Sequence, residues 1–96
     1  MREYVAQFSP DPDREGAWCV DFPQLEGCFT EGDTLGEAME NARECLASYL
    51  EAACIEDEEC PAPLSPEETR ALCEAGGACP AGAFYHAVLS LPLEEK

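Results

Sequence analysis

Carboxylates, thiols and a single imidazole are the groups in this chain that could do chemistry. Asp11, Asp13, Asp21, Asp33 and Glu37 are the acids whose clustering could hold a divalent metal for phosphodiester hydrolysis. Each also has a simpler explanation. Asp11 and Asp13 lie in the turn Pro10-Asp11-Pro12-Asp13-Arg14-Glu15-Gly16, which favours Asp for its own backbone chemistry. Asp33 and Glu37 flank a helix start, where acids complement the dipole. Asp21 stands by itself on a strand. The thiols show one regularity, Cys54-x5-Cys60 and Cys73-x5-Cys79, which four thiolates could turn into a tetrahedral zinc site. The five-residue gap is wider than a zinc knuckle uses, Cys54 and Cys73 fit apolar helix faces, and a Cys60–Cys79 disulfide is an equal competitor. The expectation is no metal and no cofactor. His86, the sole histidine, has no nucleophile or carboxylate at a readable spacing and is expected on a sheet face.

Charge narrows the function classes further. The chain has 21 acidic against 5 basic residues, a formal net charge of −16. Nucleic-acid affinity comes from Lys and Arg neutralising phosphates, and Arg2, Arg14, Arg43, Arg70 and Lys96 are too scattered to make a patch. Direct DNA or RNA binding is therefore not expected, and a basic protein is the natural complement. No apolar run approaches a membrane span, and MREYVAQFSP lacks a signal-peptide core, so the expected location is cytoplasmic. In that reducing compartment the seven cysteines, an odd count, are expected as free thiols packed like small hydrophobes.

The elements that must position these groups follow from periodicity. Met1–Ser9 alternates as a strand closed by Pro10, and Ala17–Phe22 returns with Trp18, Val20 and Phe22 on one face and Cys19 and Asp21 on the other. The chain turns at Pro23-Gln24, and Gly27 permits a conformation that a Cβ would penalise. Cys28-Phe29-Thr30 is a short third strand, broken at Glu31-Gly32-Asp33. Thr34-Leu35-Gly36-Glu37 reads as a capping box opening an amphipathic helix to about Cys54. Residues 55–83 form a connector containing a short helix, with Ser65 as cap, Pro66 at its first position, Glu68 at its third, and an end near Gly76-Gly77. Phe84–Leu91 is a final strand. The expected fold class is α+β, a small β-β-β-α-(α)-β sandwich with its helices on one face of the sheet. Residues 1–96 would form one domain, with a core of 1–54 plus the last strand at about 84–91.

The segment Phe22-Pro23-Gln24-Leu25-Glu26-Gly27-Cys28-Phe29-Thr30-Glu31-Gly32-Asp33-Thr34-Leu35-Gly36-Glu37-Ala38, with Asn41-Ala42 following, resembles the HicB antitoxin family. The resemblance runs from about Tyr4 to Cys54, with a weaker echo at Pro61-Ala62-Pro63. Gln24 stands where the family often has Asp. The resemblance implies a partial ribonuclease-H-like fold and a tendency to self-associate, so a homodimer or larger homo-oligomer is expected. It also implies a non-enzymatic antitoxin of a type II toxin–antitoxin system, masking a small basic HicA-type ribonuclease toxin. Many HicB proteins continue into a DNA-binding segment. Val88–Glu95 resembles only the opening strand of one, so the operator-binding role is not expected to carry over. An orphan interaction domain with an unrelated partner is the alternative, and a metal-dependent nuclease a more distant one.

A surface that holds a basic toxin needs acids for steering and a few apolar anchors for residence. The expected partner-binding residues are Asp11, Asp13 and Glu15 in the Pro10–Gly16 turn, with Leu25, Glu26, Phe29 and Glu31 in the Phe22–Glu31 segment.

Overall fold

The computed structural model describes residues 3–53, 62–77 and 79–89. Four strands, β1 (Glu3–Pro10), β2 (Trp18–Asp21), β3 (Phe29–Gly32) and β4 (Phe84–Leu89), and two helices, α1 (Leu35–Ala53) and α2 (Pro66–Ala75), follow in the order β-β-β-α-α-β. The sheet order is β3-β2-β1-β4, and every pairing is antiparallel. This is the α+β sandwich expected from the sequence. The last residues expected in β4, Ser90 and Leu91, and the end of α1 at Cys54 lie outside the described residues, as do Met1, Arg2 and Cys60.

Register assigns each strand residue to a face, because side chains alternate. Phe8 pairs with Val20 and Phe84, and Tyr4 with Val88. Tyr4, Ala6, Phe8, Val20 and Val88 therefore share one face, and α1 covers it with Ala38, Ala42 and Leu46. Phe8 stacks on Phe84 with ring centroids 5.0 Å apart, and Trp18 meets Phe84 edge-on at 5.5 Å. The opposite face carries Val5, Gln7, Ser9, Cys19, Asp21, Phe29, Glu31 and Tyr85. There α2 packs over β4 and β1. Gln7 donates to the Tyr85 hydroxyl at 2.7 Å, Arg70 of α2 lies 5.7 Å over the Tyr85 ring, and Cys73 of α2 is buried. The expectation of both helices on one face is thus corrected. Among the described residues, α2 lies over the β4 and β1 half of this face and leaves the β2 and β3 half uncovered.

Two local expectations also change. β3 runs through Glu31 and Gly32 instead of breaking there, since Cys19 and Trp18 extend the ladder opposite them. A Cβ on Gly32 would collide with the Ala38 backbone, lying 2.6 Å from its Cα, so the close docking of α1 on β3 requires glycine here. At the start of α1 the Thr34 hydroxyl accepts from Glu37 N–H at 3.1 Å, but the Glu37 carboxylate accepts from Asp33 N–H at 2.6 Å, one residue earlier than a capping box would have it. The α2 box is reciprocal as expected, Ser65 Oγ accepting from Glu68 N–H at 3.1 Å and Glu68 Oε1 from Ser65 N–H at 2.9 Å.

α1 also reaches both edges of the sheet. Asn41 Nδ2 donates to Glu31 O at 2.8 Å and Cys45 Sγ to Phe29 O at 3.4 Å, both on edge strand β3. Arg43 Nε donates to Leu89 O at 3.3 Å on the other edge strand, β4. Unpaired edge groups template pairing with other chains, and these side chains occupy some of them. Among the described residues no helix is long and apolar enough to cross a membrane.

Candidate partner-binding surface

The β2–β3 connection is two consecutive tight turns. Leu25 N–H donates to Phe22 O at 2.9 Å and Cys28 N–H to Leu25 O at 3.0 Å, while Phe22 N–H donates to Cys28 O at 3.1 Å and closes the loop. Gly27 has φ +85°, the left-handed value that position needs. This geometry drives the Leu25 and Cys28 side chains inward, and both belong to the core. Leu25, expected as a docking anchor, is only 2% exposed, so that expectation is corrected. Gln24 faces outward and grips the connector, its Nε2 donating to Ala62 O at 2.7 Å and its Oε1 accepting from Leu64 N–H at 3.0 Å. An amide can do both at once. An Asp in this place could accept but not donate.

Phe29 is the other expected anchor, and it is 66% exposed. It projects from β3 on the face away from α1, opposite Asp21 and two residues from Glu31. Its strand neighbours on that face are Asp21 and Glu31, with Cys19 diagonal to it, so the ring stands among acids.

Further acids beside this strand are organised by one cation. Arg14 contacts Asp11 at 3.2 Å, Glu31 at 3.5 Å and Asp33 at 2.6 Å, which ties the Pro10–Gly16 turn to β3. Asp11 Oδ1 also accepts from Asp13 N–H at 2.8 Å. That backbone bond foremost, with Arg14 assisting, holds the Asp11 carboxyl below its usual range. The structure therefore brings Asp11 and Glu31 together, keeps Asp13 and Glu15 exposed on the same turn, and leaves Glu26 exposed on the separate Phe22–Cys28 loop.

Asp11, Cys19 and Glu31 place one ligand atom each within 4.8 Å of one another, the one such group among the described residues. Its chemistry fits a metal poorly. Arg14 already supplies positive charge there, and burial, reinforced by Asp11 and Glu31, pushes the Cys19 thiol up and so away from the thiolate a metal requires. Of the other candidate nuclease ligands, Asp33 is occupied with Arg14 and Glu37 with the Asp33 amide, while Asp13 is exposed on its turn. Asp21 was set aside in sequence as an isolated strand acid. Burial raises its pKa, and pairing puts it beside Phe29. The alternation of β2 was the signal for it. Of the spaced cysteines, Cys73 is buried and Cys79 exposed, the latter accepting from the Tyr85 hydroxyl at 3.5 Å. Cys54 and Cys60 fall outside the described residues. His86 is exposed, its Nδ1 2.7 Å from Ala87 O.

Comparison with known proteins agrees with this architecture. A chain of a toxin–antitoxin complex from Streptococcus pneumoniae superposes with a TM-score of 0.70 at 21% identity, covering 91% of this chain and 67% of that one. A chain of the HicA3 and HicB3 toxin-antitoxin complex superposes with a TM-score of 0.62 at 22% identity, covering 95% of this chain and 100% of that one. At these identities the likeness shows the fold. In sequence, a UPF0150 protein of Thermoplasma acidophilum is 37% identical over 57 residues, covering 59% of this chain and 83% of the relative. A 14.9 kDa protein of Haemophilus phage HP1 is 46% identical over 44 residues, covering 46% of this chain, and the match spans about a third (33%) of the phage protein. Residues 4–80 match the model of the HicB-like antitoxins of bacterial toxin–antitoxin systems, and the chain belongs to that family.

Proposed function

We propose that this chain is a non-enzymatic antitoxin that binds a small, basic HicA-type ribonuclease and covers its RNA-binding surface. The observation that carries the reading is Phe29, 66% exposed on the bare half of the second sheet face among Asp21, Glu31 and the Arg14-linked acids, in a chain of net charge −16. An aromatic anchor ringed by charge is the composition of a docking hot spot. The acids steer a basic partner and the ring sets how long it stays. Asp11, Asp13, Glu15, Glu26, Phe29 and Glu31 form the proposed contact set. The chain acts here as one domain and without metal; Arg14 engages Asp11, Glu31 and Asp33, and the Asp33 amide engages Glu37.

Self-association is a companion proposal. Leu89, on edge strand β4, is 42% exposed and gives a second copy an apolar contact away from Phe29. The long-range opposition from −16 is screened within about 8–10 Å at physiological salt, so light scattering should show the assembly tighten as salt rises. A strictly monomeric mass at high salt and high concentration contradicts it.

Docking is tested with purified HicA-type toxin in stopped-flow binding and RNA-cleavage assays. Reversing Asp11, Asp13 and Glu15 to Lys should slow association at low salt by about tenfold and flatten its salt dependence, with dissociation little changed. Unchanged association, affinity and neutralisation at low salt remove this turn from the interface. No binding by the wild-type chain to any basic toxin favours the orphan interaction domain instead.

A further inference from the structure

Cys28 and Cys45 are not isolated thiols. Their sulfurs lie 3.8 Å apart, Cys28 buried just before β3 and Cys45 half-buried in the middle of α1. We infer that Cys28 and Cys45 are an oxidisable dithiol, which a small-molecule disulfide converts to an internal cross-link between the entry of β3 and α1. Three observations support the inference. The sulfurs are already in contact, so closure starts from adjacent side chains and not from separated segments. Cys45 is the accessible member and can meet the oxidant first, while Cys28 waits behind it. The contact also reports on a structural bond, because the Cys45 thiol donates to Phe29 O at 3.4 Å.

The chemistry balances in two exchanges. The Cys45 sulfur, as thiolate, attacks one sulfur of the oxidant; the oxidant's S–S bond breaks, and one small thiolate leaves carrying the electron pair. Cys28 then loses its proton to solvent and attacks the Cys45 sulfur, expelling the second small thiolate. Each released thiolate takes up a proton. The protein loses two protons and two electrons, and the oxidant gains them. The second exchange sets the pace. Burial first, with the Cys45 sulfur adding to it, pushes the Cys28 thiol up to about 12, so little of it is thiolate at neutral pH. The closed form can no longer donate S–H to Phe29 O, which alters the β3 edge at the exposed Phe29.

The test uses the full chain, oxidised glutathione as probe, and no toxin, so its outcome is independent of the docking proposal. After oxidation, free thiols are alkylated under denaturing conditions and the peptides mapped by mass spectrometry. A Cys28–Cys45 cross-link as the main product, absent from Cys45→Ser, supports the inference. Its closure rate should rise about tenfold per pH unit between neutral and mildly alkaline pH. Cys45→Ser alters a half-buried position, and the wild-type map needs no variant, so a folding defect leaves the test intact. Both cysteines recovered as free thiols, either one joined to a different cysteine, or a glutathione adduct on Cys45 that never closes overturns it.

Discussion

The two faces of the sheet carry opposite kinds of residue. On the α1 face, Tyr4, Ala6, Phe8, Val20 and Val88 meet Ala38, Ala42 and Leu46, an apolar surface packed shut. On the other, Gln7, Ser9, Cys19, Asp21 and Glu31 alternate with few apolar groups, and α2 covers only the half over β4 and β1. The first face contains what folding needs, because burying apolar area is the main favourable contribution to stability. The second buries less apolar area, since its uncovered half leaves an aromatic ring in solvent. Two phenylalanines make the contrast concrete: Phe8 is 0% exposed and Phe29 66%.

The largest loss is expected at Phe8. Phe8→Ala empties a site stacked on Phe84 and should cost about 3–5 kcal/mol in urea denaturation, close to unfolding so small a domain. Phe29→Ala should change stability by no more than about 0.5 kcal/mol. Similar losses from both would mean that Phe29 is packed and the face is not open.

Smaller effects sharpen the picture. Asn41→Ala removes the donor to Glu31 O at the β3 edge and should cost about 1 kcal/mol, with faster amide exchange in β3 than in β1. Asp21→Asn should raise the melting temperature slightly at neutral pH. Burial raises the Asp21 pKa in the folded state, so this acid favours folding only while protonated. That contribution is complete below the ordinary value of 3.8 and is lost as pH rises through the raised one. The advantage of Asn should therefore shrink as the pH is lowered toward 3.8. An Asn variant less stable than wild type at neutral pH would show that the Asp21 charge has a favourable partner.

Much of the fold was legible because its signals are local. Alternation placed β1 and β2, Gly27 marked the turn, and Ser65-Pro66-Glu67-Glu68 announced α2. What was not legible depends on contacts between distant segments. No spacing rule says which face α2 will cover, because the connector's path decides it. Leu25 looked like a surface anchor because an apolar loop residue can point either way, and only the double turn sends it inward. Arg14 gathers Asp11, Glu31 and Asp33 from two separate segments, and the Gln24 amide holds Ala62 and Leu64 across nearly forty positions. The site was half legible for the same reason. The acids and Phe29 were named from sequence; the alternation of β2 put Asp21 on the face opposite Trp18, and its register against β3 sets it beside Phe29.

Phe29→Ala binding to a HicA-type toxin, followed by calorimetry, decides whether the open half of the second face is the docking surface. A buried hot-spot aromatic is worth about 2 kcal/mol or more, so Kd should rise roughly thirtyfold, chiefly through faster dissociation, while the melting temperature stays near wild type. An unchanged Kd with a folded variant would contradict the account and place the toxin elsewhere on the molecule.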